Sequence, residues 1–190
     1  MYLLFYIILL SSVSLAAGAA FMGDIFFFIT LKKRRLALHE IETLKRMSGI
    51  SMISCVIALF SQIVLTAIII STSLSLGNEE SYLIVLILLI TFTCSLTMRN
   101  IHLPALKRHH QDYAHLSDKF IEYHDPLIAT AAVSTFSWIY IIFLLGLRNQ
   151  GVDVAADFNL SFGDLAVAYI FLAYIASHCG ILLKRIINYK

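Results

Sequence analysis

Few side chains in this sequence could do chemistry, and the most conspicuous is a single acid. Asp24 lies in a long apolar run, just before Phe26-Phe27-Phe28 and eight residues before the four cations Lys32-Lys33-Arg34-Arg35. On a helix rising 1.5 Å per residue, its carboxyl sits about 12 Å inside the boundary that those cations mark. An ionised carboxylate facing hydrocarbon at that depth is expensive, so Asp24 is expected to face a protein interior or to be protonated. Either way it is a candidate site for a proton, a cation or a small ligand. His178, six residues before Lys184, falls about 9 Å inside the same boundary. The two are expected to share one interior site, hydrogen-bonded directly or bridged by water or an ion. The structural alternative is that each bonds to a neighbouring helix.

The other candidates are weaker. Gln62 and Thr66 stand one helical turn apart, and Thr91, Thr93, Ser95 and Thr97 give a third apolar block a polar stripe. Such groups line hydrophilic paths or serve as interhelical hydrogen-bond donors. Trp138, with Ser134 and Ser137, lies deep in a fourth block rather than at an interface, where tryptophan is usually found. This points to inward packing or ligand stacking. Imidazole is the commonest protein ligand for transition metals and haem iron, so haem or a transition metal is the cofactor class the histidines admit. His102, His124 and His178 are the donors nearest the bilayer interior. His109, His110 and His115, with Asp112, form a candidate surface metal group; the alternative is a solvated helix face. Cys55, Cys94 and Cys179 all fall inside apolar blocks and read as small buried side chains, not a disulfide framework. HExxH, GxSxG, P-loop and GxGxxG arrangements are absent, which argues against an enzyme.

The elements that must position these groups are membrane spans. Hydrophobic residues make up 59% of the chain and charged residues 14%, with a mean hydropathy of +0.84. A soluble domain has about 25% charged residues. Five blocks reach the roughly 20 residues needed to cross a bilayer: about 5–31, 50–76, 82–103, 126–147 and 161–183. Only helices satisfy the backbone of such blocks without closing a barrel. The fold class expected is therefore all-α, a single bundle of five transmembrane helices over 1–190. The first block continues past its small residues without a basic start, and is expected to be a retained span rather than a cleaved signal.

Cations alternate along the chain. The segments 32–49, 77–81, 99–125, 148–160 and 184–190 hold 6, 0, 4, 1 and 3 of the 14 Lys and Arg residues. The positive-inside rule places the N-terminus outside and the C-terminus in the cytoplasm, in a cell membrane, and in the inner membrane if the chain is bacterial. The second helix is expected to begin near His39 and to project below the bilayer. A segment over 105–123 carries Leu106, Tyr113, Leu116, Phe120 and Tyr123 broadly on one face and is expected to lie along the membrane surface. Small residues mark candidate helix contacts: Ser14, Gly18 and Met22 on one face of the first span, Ala16, Ala20 and Asp24 on another, and Ala173, Ala176 and Gly180 in the last.

Asp24-Ile25-Phe26-Phe27-Phe28, with Glu42, Leu44 and Ser48, and Ser137-Trp138 followed by Leu145-Gly146-Leu147-Arg148, resembles small uncharacterised bacterial multi-pass membrane proteins. Their layout is loosely similar to copper-resistance-D-like families. Those families usually carry a histidine in the first span, and here none is present. Three functions follow as expectations. The first is a protein handling a small ligand or ion (haem, metal ion or proton) in the cytoplasmic half of the bundle. The second is an accessory subunit whose basic loops dock anionic lipid or a protein partner. The third is a small transporter acting as a homo-oligomer, since no inverted repeat is evident. The bilayer itself is the expected partner, and nucleic acid is not.

Overall fold

The computed structural model describes residues 2–32, 38–71, 78–105, 107, 125–150, 152, 154–158 and 160–188. Their regular structure is helical throughout. In chain order the elements are α1 (Tyr2–Lys32), α2 (Leu38–Ser71), α3 (Asn78–Thr97), α4 (Asp125–Asn149), a one-turn α5 (Val154–Asp157) and α6 (Phe162–Asn188). Past Thr97, α3 runs on through a π-helical stretch, Met98–His102. Five of these helices are long and apolar enough to cross a membrane, the shortest window being Phe162–Leu183 with 22 residues.

The blocks expected from the sequence and the observed helices coincide in their apolar centres. They differ at the ends, where polar residues extend the helices. α2 starts at Leu38, a residue from the expected start near His39. The segment 106–124, apart from Lys107, lies outside the described residues, and with it the expected amphipathic helix. His109, His110, His115 and His124 lie outside them too.

Local chemistry accounts for several helix starts. Before α6, Ser161 and Asp164 form a reciprocal capping pair. Ser161 N donates to Asp164 Oδ2 at 2.9 Å, and Asp164 N donates to Ser161 Oγ at 3.3 Å, satisfying donors that the first turn leaves open. Pro126 occupies the first turn of α4, where its missing N–H costs nothing. Glu79 and Glu80 fall in the first turn of α3, favourably placed against the helix dipole.

Helices α1 to α4 form a closed ring. Each of α2 and α3 packs between its chain neighbours, and α4 returns to contact α1. α6 stands outside the ring, mainly against α4 and less extensively against α3. The bundle holds two apolar clusters, the larger reaching beyond the ring to Leu165 and Tyr169 of α6. The larger includes Leu9, Val13, Ile84, Ile87, Trp138 and Leu144. The smaller, towards the end where α1 finishes and α2 and α4 begin, includes Phe27, Leu44, Leu103 and Leu127. This end bears Lys45, Arg46, Arg99 and Arg185 and is called the basic end below. Many large apolar side chains on the bundle exterior are exposed, among them Leu3, Phe60, Val167 and Phe171.

Candidate functional site

The face of α1 that turns inward is the one carrying Ala16, Ala20 and Asp24. Ala16 is fully buried, whereas Ser14, Gly18 and Met22 are exposed. Asp24 meets α4, where the Thr135 hydroxyl donates to Asp24 Oδ2. Thr135 is the threonine that departs from the local habit. Thr91, Thr93, Thr97 and Thr130 each donate to the carbonyl four residues earlier on their own helix, at 2.7–2.8 Å. Such back-bonding is the ordinary way for a span to satisfy a hydroxyl.

Beside this hydrogen bond is a cavity of about 70 Å³ within the four-helix ring. α1 contributes Gly23 and Asp24 to its wall, and α2 contributes Ser48 and Ser51. Ser95 comes from α3, and Thr130, Ser134 and Thr135 from α4. Phe27, Leu44, Leu103 and Leu127 line it towards the basic end. A single water needs about 10–15 Å³ by this measure, so the space admits several waters or a small ion. Ser48 Oγ donates to the Ser95 carbonyl at 3.4 Å. Ser51 is 4% exposed and its Oγ has no hydrogen-bond partner in the protein. Its polar groups are one carboxylate and several hydroxyls, set in a mostly apolar wall that also carries the sulfurs of Met47, Cys94 and Met98.

His178 does not join Asp24. It is exposed, its ring packs against Tyr174 at 4.1 Å between centroids, and its Nδ1 lies 3.0 Å from the Tyr174 carbonyl. The reason is angular. α6 turns Ala176 and Gly180 towards α1 and α4, and His178 is about 200° around the helix from each of them. The two residues share a depth but not a direction, so the expectation of a shared site is corrected.

Gln62 is fully buried, with Nε2 3.4 Å from Thr66 Oγ1, and its Oε1 has no protein partner. It lies eleven residues beyond Ser51 on α2, about 16 Å along the axis from the cavity. It therefore belongs to the opposite half of the bundle, where Phe60 contacts Phe5. Trp138 is fully buried in the larger apolar cluster, as inward packing requires, and its Nε1 has no protein partner. It stands one residue past Ser137, whose Oγ is 2.6 Å from Tyr169 OH. His102 is 9% exposed, with Nε2 3.4 Å from Thr130 Oγ1. Because the Thr130 proton goes to the Pro126 carbonyl, Thr130 can only accept from His102, which places a proton on Nε2. Among the described residues, no group of three or more His, Cys, Asp or Glu side chains gathers at metal-binding range.

Sequence reasoning singled out Asp24 but missed Thr135, Ser48 and Ser51 as its surroundings. A usable signal existed: Asp24 interrupts the apolar run of α1, and Ser48-x-x-Ser51 puts two hydroxyls on one face of α2 at helical spacing. No family model, curated protein or solved structure matches the chain.

Proposed function

We propose that this chain is a multi-pass membrane protein that binds a proton or a small monovalent cation at Asp24. In this reading its N-terminus is outside and its basic end faces the cytoplasm, as the positive-inside rule directs. The observation that carries the reading is the Asp24 carboxyl at the wall of a cavity within the ring, with the hydroxyls of Ser48, Ser51, Ser95, Thr130, Ser134 and Thr135 on the same wall. The carboxylate and hydroxyl oxygens beside Asp24 suit a hard cation or a proton. One carboxylate offers one negative charge, which a single proton or monovalent cation balances. In a low-dielectric interior an unbalanced charge is costly, so occupancy and charge state are coupled. That coupling is what an ion-handling membrane protein uses.

The test is infrared difference spectroscopy of the purified protein titrated over pH, in sodium and in a bulky organic cation. The expected result is a carboxyl band present in the wild type, absent in Asp24→Asn, and altered in midpoint by sodium if the ion competes with the proton. A sodium-independent midpoint assigns the site to protons. Superimposable titrations of wild type and Asp24→Asn would overturn the proposal.

A further inference from the structure

Asp24 borders a second space besides the internal cavity. Where α1, α4 and α6 meet, a groove of about 360 Å³ runs along the outside of the ring, with Asp24 and Thr135 among its lining residues. α6 leaves it open because its contacts are with α4 and α3 rather than with α1. Small residues shape one wall: a Cβ on Gly180 would stand 3.0 Å from Ala132 Cβ, so the Gly180 backbone packs directly on the small Ala132 side chain. The remaining walls are apolar, with Phe28 on α1 and Phe136 on α4. Ile139 and Leu183, both exposed, mark its two ends.

We infer that this groove takes a lipophilic amine from the bilayer, with its ammonium group against the Asp24 carboxylate and its apolar tail along Phe136 and Ile139. The inference rests on the reading of Asp24 as a cation site and names a class of substrate for it. Charge complementarity selects the occupant. Thr135 engages Oδ2, and among the described residues no cation pairs with Asp24, so Oδ1 can accept from an ammonium. A fatty acid would bring a like charge to the carboxylate. A neutral lipid tail brings no counter-charge, so Asp24 beside it would have to hold a proton instead. Leu183 lies next to Lys184 at the basic end, and Ile139 lies one turn beyond Thr135, just past the centre of α4. Because Asp24 also borders the internal cavity, a proton and the amine compete for one carboxylate.

Trp138, the only tryptophan, adjoins Ile139 and is two residues from Phe136, so it reports on the groove. Full-length protein in phosphatidylcholine liposomes is titrated with a bromine-labelled long-chain primary amine and, separately, with the alcohol of the same tail. Saturable quenching of Trp138 is expected, half-maximal at roughly tenfold lower amine than alcohol. Asp24→Asn should bring that ratio close to one, and Ala176→Phe should remove quenching by filling the groove. Acidification should weaken the amine and leave the alcohol unchanged. Equal quenching by amine and alcohol in the wild type would show a lipid-tail groove only and overturn the inference. So would an amine preference that survives in Asp24→Asn, or an absence of saturable quenching. If the infrared band of Asp24 persists in the wild type while the amine preference is missing, the amine inference fails and the ion-site reading stands.

Discussion

Thr135 of α4 donates its hydroxyl to Asp24 Oδ2 of α1, across 111 positions of sequence. The bond joins the two helices that close the four-helix ring, and it lies where both the internal cavity and the outer groove are bounded. A hydrogen bond to a charged group contributes about 1.5–3 kcal/mol, and losing the donor leaves the acceptor undersatisfied. Thr135→Val, nearly isosteric, should therefore destabilise the protein by about 1–3 kcal/mol, and Thr135→Ser should retain most of the stability. Thermal unfolding in detergent checks this; equal midpoints for Val and Thr would mean that the bond contributes nothing.

How much of this could be read from the chain follows from particular residues. The five helices are legible because each apolar block exceeds a bilayer's thickness and polar residues mark its ends. Asp24 is legible because an acid in such a block demands a partner. Its partner is not, because a threonine in a span ordinarily bonds its own helix, as Thr91 and Thr97 do. Nothing local distinguishes Thr135 from them. His178 shows the same limit from the other side. Depth can be counted from Lys184, but direction depends on α6 packing outside the ring, which is a tertiary choice. Buried Glu80 and Tyr169 were missed for a similar reason, since their partners Val154 and Ser137 come from other elements.

Gly180 fixes the contact between α4 and α6. A Cβ there would meet Ala132 Cβ at 3.0 Å and Ile128 Cγ2 at 3.3 Å. Gly180→Ala should be tolerated with a small shift, and Gly180→Leu should cost about 1–3 kcal/mol as overpacking does. The cost should appear as separation of α6 from the ring, read by loss of cysteine cross-linking between α4 and α6. Unchanged cross-linking in Gly180→Leu would refute close packing at this point.

Glu80 is 1% exposed and its Oε1 accepts a hydrogen bond from the Val154 backbone N–H, tying α5 to the start of α3. Nearby, Arg148 Nη1 donates to Ser81 Oγ at 3.3 Å. Glu80→Ala strands that N–H and removes a buried acceptor, so a loss of about 1–3 kcal/mol is expected. Glu80→Gln keeps an acceptor oxygen and should cost less. Limited proteolysis between α4 and α6 measures the effect, and identical cleavage rates in wild type and Glu80→Ala would contradict the assignment.

Ser137 and Tyr169 join α4 to α6 through a 2.6 Å contact, with Phe136 and Tyr140 packed on the Tyr169 ring at 6.2 and 5.6 Å between centroids. Ser137 also donates to the Val133 carbonyl at 2.6 Å, so the Tyr169 hydroxyl is the donor of the shared bond. Ser137→Ala and Tyr169→Phe should each cost about 1 kcal/mol, and the double mutant less than their sum by a coupling of about 0.5–1 kcal/mol. Strict additivity in the unfolding free energies would show that the hydroxyls do not interact.

The threading of the chain gives the last prediction. In the threading proposed above, five crossings with the basic segments on one side would place the connections after α2 and after α4 on the opposite side. Both are poor in cations: 77–81 holds none and 148–160 holds Arg148 alone, against six in 32–49 and four in 99–125. The bias comes from Lys and Arg near span ends, where it governs orientation most strongly. A reporter active only outside the cytoplasm should therefore work when fused after Glu79 and after Asp153, and fail when fused after Arg46 or Lys107. The converse result at either of the first two positions would mean that a helix here does not cross. In that case Asp24, counted as about 12 Å below the surface, would lose the argument that makes it a membrane-embedded ion site.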